Sequence, residues 1–244
     1  MNGLGNTSDF HKNLHKGMVK MGSEFLFNPE EYEVQENIES NEILEDGIIR
    51  EIIGIRENSC EELGAVETVF GDPEDAENWH HQSEKYSCAI ACQEFVAEQL
   101  MDRDFSEQEM IEYAQKKGWY EPTEGTSCSD VGNLLEAIGL DVERAENCTV
   151  TDLMQALADG EKVICGVNNL ILAEPRLAEM PGLTANHAVE FIGVDFSNPH
   201  NPQVILNDPG VKNGQAIRHD MDVFVKSWST CDNYAVIAGK GVAV

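Results

Sequence analysis

The segment HHQSEKYSCAIACQEFV, residues 80–96, contains residue types used in thiol-based catalysis. From Cys88 onward its apolar residues recur every three or four positions, which predicts a helix with Ser87 as its N-cap. A thiolate at the first turn of a helix is stabilised by unpaired main-chain N–H groups and by the helix dipole. The pattern therefore predicts that Cys88 is a reactive nucleophile.

Two neighbours of Cys88 have different predicted roles. Cys92 lies one helical turn further on, on the face that carries Phe95 and Val96, which predicts an inert thiol in the core. Gln82 precedes Cys88 by six residues. An amide at this point is able to lie beside the helix start and donate to an oxyanion. Gln82 is therefore a candidate oxyanion donor.

A thiol nucleophile needs a base, and His187 is the best-placed histidine. It begins the apolar stretch HAVEFIGVD, and Asp208 ends the next apolar stretch in the motif LNDPG. If these two strands pair as a hairpin, the carboxylate lies beside the imidazole and orients it. Each signal also has an ordinary structural explanation, since an Asp in NDPG is a common turn residue.

Secondary-structure patterns predict how these residues are positioned. Capping residues and glycines predict four helices. The first begins at Cys88, and the others span Ser106–Gly118, Ser127–Ile138 and Thr149–Ala158. Glu109 is expected to complete a capping box at the start of the second helix. β-Branched runs predict strands at KVICGV (162–167), HAVEFIGVD (187–195), QVILND (203–208) and YAVIA (234–238), with a short helix at Met221–Trp228. Because helices come first and strands follow, the predicted fold class is α+β, with helices packed on an antiparallel sheet.

Charge divides the chain of 244 residues into two predicted parts. Residues 23–78 hold eighteen acidic and two basic residues, so residues 1–78 are interpreted as an acidic N-terminal extension. Within this extension, the apolar segment IIREIIGI (48–55) is interpreted as an anchoring element and Gly71–Asn78 as a linker. Residues 79–244 are predicted to form the catalytic domain. The net charge of −29 argues against nucleic acid or anionic membranes as partners and favours a basic peptide.

The cysteine and histidine spacing predicts no metal or cofactor. The seven cysteines are scattered without a CxxC motif, which argues against a zinc site and against a disulfide framework. His80 and His81 are adjacent, unlike the two histidines of HExxH. Three features predict a cytoplasmic protein: the thiols are scattered, no 18-residue apolar run occurs, and the N-terminus lacks a Sec-type signal. Delivery by a specialised secretion system is the alternative.

Several segments together resemble a known family. QSEKYSCAIACQEFV, EGTSCSDVGNLLEAIGL, NHAVEFIGVD, VILNDPG and FVKSWST are similar, in that order, to segments of the papain-like cysteine peptidases that cleave bacteriocin leader peptides after a double glycine. The resemblance covers about residues 79–238. It implies a papain-like fold, Cys88 as nucleophile, Gln82 as oxyanion donor, His187 as base and Asp208 as the orienting carboxylate.

The resemblance has departures that affect the expected substrate. The family's Asp-Cys-Gly is here Ser87-Cys88-Ala89, and the transporter domains of its best-known members are absent, so a stand-alone bacterial form is expected. The leading hypothesis is a cysteine endopeptidase acting on a protein or peptide, including an effector toxin with an inhibitor or immunity protein as partner. The alternatives are an inactive papain-like binding module and an amidase or transglutaminase acting through the same thioester.

Overall fold

A computed structural model describes residues 68–241 of the chain. It contains six α-helices in this range: α1 (Cys88–Met101), α2 (Glu107–Lys117), α3 (Asn133–Ala137), α4 (Val150–Ala158), α5 (Asn169–Ala173) and α6 (Met221–Trp228). Its seven strands are β1 (Val69–Gly71), β2 (Asp141–Ala145), β3 (Lys162–Val167), β4 (His187–Asp195), β5 (Gln203–Asn207), β6 (Ile217–Asp220) and β7 (Ala235–Gly239). Short 3-10 turns lie at Pro73–Asn78, Cys128–Asp130, Pro175–Glu179 and Ser229–Cys231.

The strands form one sheet in the order β2-β7-β3-β4-β5-β6, and β1 pairs with the end of β4. Throughout residues 68–241, each strand pairing is antiparallel. β4 pairs with β5 on one edge, where Glu190 lies opposite Asn207. This pairing brings the start of β4 close to the residues that follow β5. The predicted α+β class with an antiparallel sheet is confirmed.

Helices cover both faces of the sheet. On one face, Cys92 and Val96 of α1 pack with Ile164, Ala188 and Val236 in a shared apolar core. Side chains of a strand alternate between faces. Phe191, three positions after Ala188, therefore points to the other face. There its ring lies 6.0 Å from the ring of Phe224 in α6, and Phe224 stacks on Trp228.

Most of the predicted elements are found close to their expected bounds. β3, β4 and α6 agree with the prediction, and α4 begins with the expected cap, in which Thr149 and Asp152 form a reciprocal capping box. α2 begins after Ser106, whose hydroxyl accepts from Glu109 N, and it ends at Gly118 in the left-handed conformation. Within residues 68–241 no helix combines the length and apolarity needed to cross a bilayer.

The prediction of one continuous helix over Ser127–Ile138 is wrong. The chain forms a 3-10 turn, passes through Gly132 at φ 96°, and only then starts α3. The buried Gln93 side chain of α1 accepts from the amides of Gly132, at 2.8 Å, and Leu134, at 3.2 Å. A β-carbon on Gly132 would lie 2.8 Å from Val142 Cγ1, so this break also depends on close packing. The helix is interrupted because α1 binds the chain there.

The segment predicted as a linker, Gly71–Asn78, is ordered on the sheet. β1 pairs with the end of β4, and the 3-10 turn that follows is held by Lys162, whose Nζ lies 2.7 Å from Asp72 and 2.6 Å from Asp75. The strands β1, β2 and β6 and the helix α5 were not predicted. The apolar segment at residues 48–55 lies outside the described residues, and the division of the chain at residue 78 stays a prediction.

Candidate active site

Cys88 is the first residue of α1 and is partly exposed. The first main-chain bonds of the helix run from the amides of Ile90 and Ala91 to Ser87 O. The amides of Cys88 and Ala89 therefore precede the hydrogen-bonded part of the helix. Ser87 occupies the N-cap position as predicted, but its hydroxyl makes no capping bond.

His187 and Asp208 form a buried pair beside Cys88. His187 Nε2 donates to Asp208 Oδ1 at 2.7 Å, and both side chains are at least 93% buried, since their exposed fractions are 7% and 4%. The imidazole also interacts electrostatically with the Cys88 sulfur. The structure thus brings together the three residues that the sequence singled out. His219 lies elsewhere, on β6.

The loop after β5 fixes the carboxylate and leaves room for the imidazole. Asp208 Oδ1 also accepts from Gly210 N at 2.8 Å. A β-carbon on Gly210 would lie 2.7 Å from His187 Cε1, so a side chain at this position requires the ring to move. Trp79 Nε1 donates to Asp208 O at 2.8 Å, and Gln82 N donates to Pro209 O. The segment that precedes α1 is therefore tied to the Asp208 loop.

The surroundings of Cys88 and His187 favour a thiolate–imidazolium pair. Burial alone would raise the pKa of the Cys88 thiol, but the hydrogen bond and charge of His187, with main-chain N–H groups of Ala188 and Ala89, bring that pKa below its ordinary value. Burial lowers the pKa of His187, but the bonds to Asp208 and Cys88 outweigh it and raise this pKa above 6.5. Each group thus stabilises the charged form of the other.

Cys92 lies in a contrasting environment. Its side chain is fully buried in the core between α1 and the sheet. Burial raises the pKa of this thiol well above its ordinary value, and the nearby negative charge of Cys88 acts in the same direction. A neutral, enclosed thiol of this kind is not a nucleophile.

Gln82 lines the same cleft as Cys88 and His187, but its amide donors point elsewhere. Its Nε2 donates to the carbonyl oxygens of Glu84, at 2.7 Å, and Lys85, at 3.0 Å. Its Oε1 is buried without a hydrogen-bond partner among residues 68–241. Donation to an oxyanion at Cys88 requires the side chain to rotate, so this role of Gln82 stays a proposal.

A buried polar cluster holds the segment just before Cys88. Ser87 Oγ donates to Glu107 Oε1 at 2.6 Å, and Ser83 N donates to Glu107 Oε2 at 2.9 Å. His80 Nε2 donates to Glu94 Oε2 at 2.8 Å, and this bond raises the pKa of His80 to about 9. His80, Glu94 and Glu107 are close enough to ligate a metal ion. Their contacts with one another, however, make them an ion-pair cluster that holds α1 to α2. Nothing in the sequence pattern identified Glu107.

A second buried carboxyl group, Glu190, lies behind the site on β4. Its Oε2 accepts from Asn207 Nδ2 at 2.8 Å, and Asn207 immediately precedes Asp208. Burial raises the pKa of Glu190 to about 8. The oxygen atoms Glu190 Oε1 and Gln99 Oε1 both lack a partner in the described part of the chain, although the two side chains are in contact. The bond from Asn207 and the contact with Gln99 act against the effect of burial and stabilise the carboxylate form of Glu190.

A cleft of about 480 Å³ opens over Cys88 and His187. One wall is apolar and is formed by Ala89, Val131, Ile164, Ala188 and Val236. Among residues 68–241, the charged residues that line it besides His187 are Lys85 and Glu124. A cleft of this size accommodates a short stretch of extended peptide or a small molecule.

Comparison with known proteins begins with sequence. No protein-family model matches the chain. Uncharacterised proteins from Mycobacterium bovis and Mycobacterium tuberculosis are 27% identical over 201 residues, which covers 71% of this chain and 85% of theirs. These relatives carry no described activity.

Solved structures show the fold. A C39-like peptidase from Bacillus anthracis superposes with a TM-score of 0.51 at 11% identity and covers 68% of this chain and 95% of its own. The peptidase domain of Streptococcus ComA has a TM-score of 0.46 at 16% identity, covering 66% of this chain and 97% of its own. The superposition on the Bacillus anthracis structure, together with the antiparallel sheet and its helices, shows the papain-like fold. A fold of this kind hosts different reactions, and the residues of the site decide which one occurs.

Proposed function

We propose that the protein is a cysteine endopeptidase with Cys88, His187 and Asp208 as its catalytic residues. The observation that carries this proposal is that Cys88 and His187 line one open cleft and interact there, while the His187 ring is hydrogen-bonded to Asp208. A nucleophile in contact with a base, and a base oriented by a third group, is the arrangement expected for acyl transfer.

The proposed reaction has two stages. The Cys88 thiolate attacks the carbonyl carbon of the scissile bond, and His187 transfers its proton to the leaving amine, which yields a thioester. His187 then removes a proton from water, which attacks the thioester and releases the second product. In both stages the carbonyl oxygen of the substrate becomes an oxyanion near the main-chain amides of Cys88 and Ala89. The Gln82 side-chain amide donates a further hydrogen bond to it after the side chain has rotated.

The proposed substrate is a protein or peptide with an apolar residue next to the scissile bond. This preference follows from the apolar wall beside Cys88. The net charge of −29 favours substrates with basic flanking segments, because they are attracted to the acidic surface. Charge acts mainly on association rate, so this preference weakens as salt is added.

Active-site labelling with a peptide that carries a thiol-directed warhead tests the proposal. We expect the adduct on Cys88 to form faster than any adduct on the exposed Cys128, and its rate to fall strongly in the His187→Ala variant. Cys92→Ala is the matched control, since it removes a thiol one turn away and should label like the parent protein. A folded protein that takes up no label at Cys88 would instead be a papain-like binding module. Hydrolysis is separated from amide transfer by adding a primary amine and measuring whether it enters the product.

A further inference from the structure

A second pair of thiols lies at the wall of the cleft. Cys128 begins the 3-10 turn before α3, and Cys231 ends the 3-10 turn after α6, so the two are 103 residues apart in sequence. Their sulfur atoms are separated by 3.6 Å. Cys128 is exposed and lines the cleft, whereas Cys231 is half-buried. Neither residue belongs to the proposed catalytic set.

The contacts around the pair hold the two sulfurs in place. Tyr234 OH donates to Cys128 O at 3.0 Å, which joins the turn before α3 to the start of β7. Cys231 Sγ lies against Gly166 of β3, where a β-carbon would be 3.0 Å away. The absence of a side chain at Gly166 therefore leaves the space that Cys231 occupies. The two sulfur atoms therefore lie close together because the Tyr234 bond holds the Cys128 turn and the space at Gly166 holds Cys231.

The proton distribution within the pair is unequal. A hydrogen bond from the Cys231 thiol lowers the pKa of Cys128 to about 7, against the opposing effect of burial. The same bond, together with burial, raises the pKa of Cys231 above its ordinary value. Near neutral pH a large part of the exposed Cys128 is thiolate, with a protonated thiol next to it. This is the arrangement in which thiol–disulfide exchange begins at Cys128.

We propose that Cys128 and Cys231 form a reversible disulfide by exchange with a low-molecular-weight disulfide. The Cys128 thiolate attacks one sulfur of that disulfide, which forms a mixed disulfide and releases one thiolate. The Cys231 sulfur, after losing its proton, attacks the Cys128 sulfur and releases the second small thiol. Two protein thiols are oxidised and one small disulfide is reduced to two thiols. The sulfur atoms must approach by about 1.5 Å to reach the length of a disulfide bond.

Formation of this bond changes the cleft. It joins the turn before α3 covalently to the turn after α6, next to the cleft that Cys128 lines. The loop closed by the bond is long, and cross-linking a long loop lowers the entropy of the unfolded chain. We expect the oxidised protein to melt about 5–15 °C above the reduced protein. The inference does not depend on peptidase activity, because the bond forms and is measured in a protein that lacks the proposed nucleophile.

The test uses the full chain carrying Cys88→Ala, so that the thiol of the proposed nucleophile does not react. The folded protein is equilibrated with an excess of oxidised glutathione, quenched with acid, alkylated and digested for peptide mass mapping. We expect a peptide pair joined through Cys128 and Cys231 and full reversal by dithiothreitol. Cys128→Ser should abolish the cross-link, whereas the control Cys148→Ala, which alters another thiol of the domain, should keep it.

Three outcomes would overturn the inference. Glutathione that stays attached to Cys128 means that Cys231 does not reach it. A cross-link that appears only in denaturant means that the folded geometry does not favour the bond. A bridge from Cys128 to any cysteine other than Cys231, within one chain or between two, means that the pairing is wrong. Wild-type protein treated in the same way should show the same cross-link, which guards against an effect of the Cys88→Ala change on folding.

Discussion

Replacing Asp208 by Asn removes one negative charge next to His187 but keeps an oxygen that accepts the ring hydrogen. The carboxylate is 4% exposed and lies 2.7 Å from His187 Nε2, so solvent screens the interaction little. A hydrogen bond to a charged group contributes about 1.5–3 kcal/mol and one between neutral groups about 0.5–1.5 kcal/mol. Loss of the charge therefore disfavours the imidazolium by about 1–2 kcal/mol. This lowers the pKa of His187 by about one unit and reduces the thiolate–imidazolium pair about 5–30-fold.

The rate of Cys88 alkylation by iodoacetamide, measured against pH, reports this change directly. In the wild-type protein the rate should rise with pH through a thiol pKa below the ordinary value. In Asp208→Asn the midpoint should move upward, and kcat/KM for a peptide substrate should fall by a similar factor. Asp222→Asn, a charge change in α6, is the matched control and should leave the profile in place. An unchanged alkylation midpoint in Asp208→Asn would show that the carboxylate does not stabilise the ion pair.

Three further variants test other parts of the site. Cys92→Ala should keep peptidase activity, but its free energy of unfolding in urea should fall by about 1 kcal/mol, because the substitution leaves a small cavity. Loss of activity would contradict the placement of Cys92 in the core. Gly210→Ala should lower kcat/KM about 10–100-fold by displacing the His187 ring, and wild-type kinetics would show that the close contact is unimportant. In the folded protein Glu190 stays protonated up to about pH 8, whereas in the unfolded chain it ionises above about pH 4.5. Between these two pH values the free energy of unfolding of the wild-type protein therefore falls by at most about 1.4 kcal/mol per pH unit. Glu190→Gln should remove this slope, and parallel stability curves for the two proteins would contradict the raised pKa.

The sequence predicted those elements that local patterns define. β4 was predicted to its end residues because HAVEFIGVD is apolar and is bounded by irregular segments. β2 and β6 were missed because their sequences, DVERA and IRHD, are charged and only partly buried, so neither alternation nor apolar content marks them. The break before α3 depends on Gln93, which lies 39 residues away from Gly132, and no local pattern reports such a contact.

The candidate site shows the same limit. Helix start, strand start and turn signals placed Cys88, His187 and Asp208 correctly relative to one another. They did not predict the orientation of side chains that have competing partners. The Ser87 hydroxyl bonds Glu107 of another helix instead of capping α1. The Gln82 amide is turned toward two carbonyl groups of its own loop. The closeness of Cys128 and Cys231 likewise arises only in the folded chain.

The bond from Trp79 Nε1 to Asp208 O joins residues that are 129 positions apart. Contacts of such long sequence separation require large loops to close, and they form late in folding. During synthesis Cys88 leaves the ribosome well before His187 has been translated. A growing chain therefore carries Cys88 as an ordinary, weakly reactive thiol, and the ion pair appears only once the last strands have joined the sheet. If Cys88 is the nucleophile that we propose, the order of the elements along the chain delays its activation until the last strands have been made.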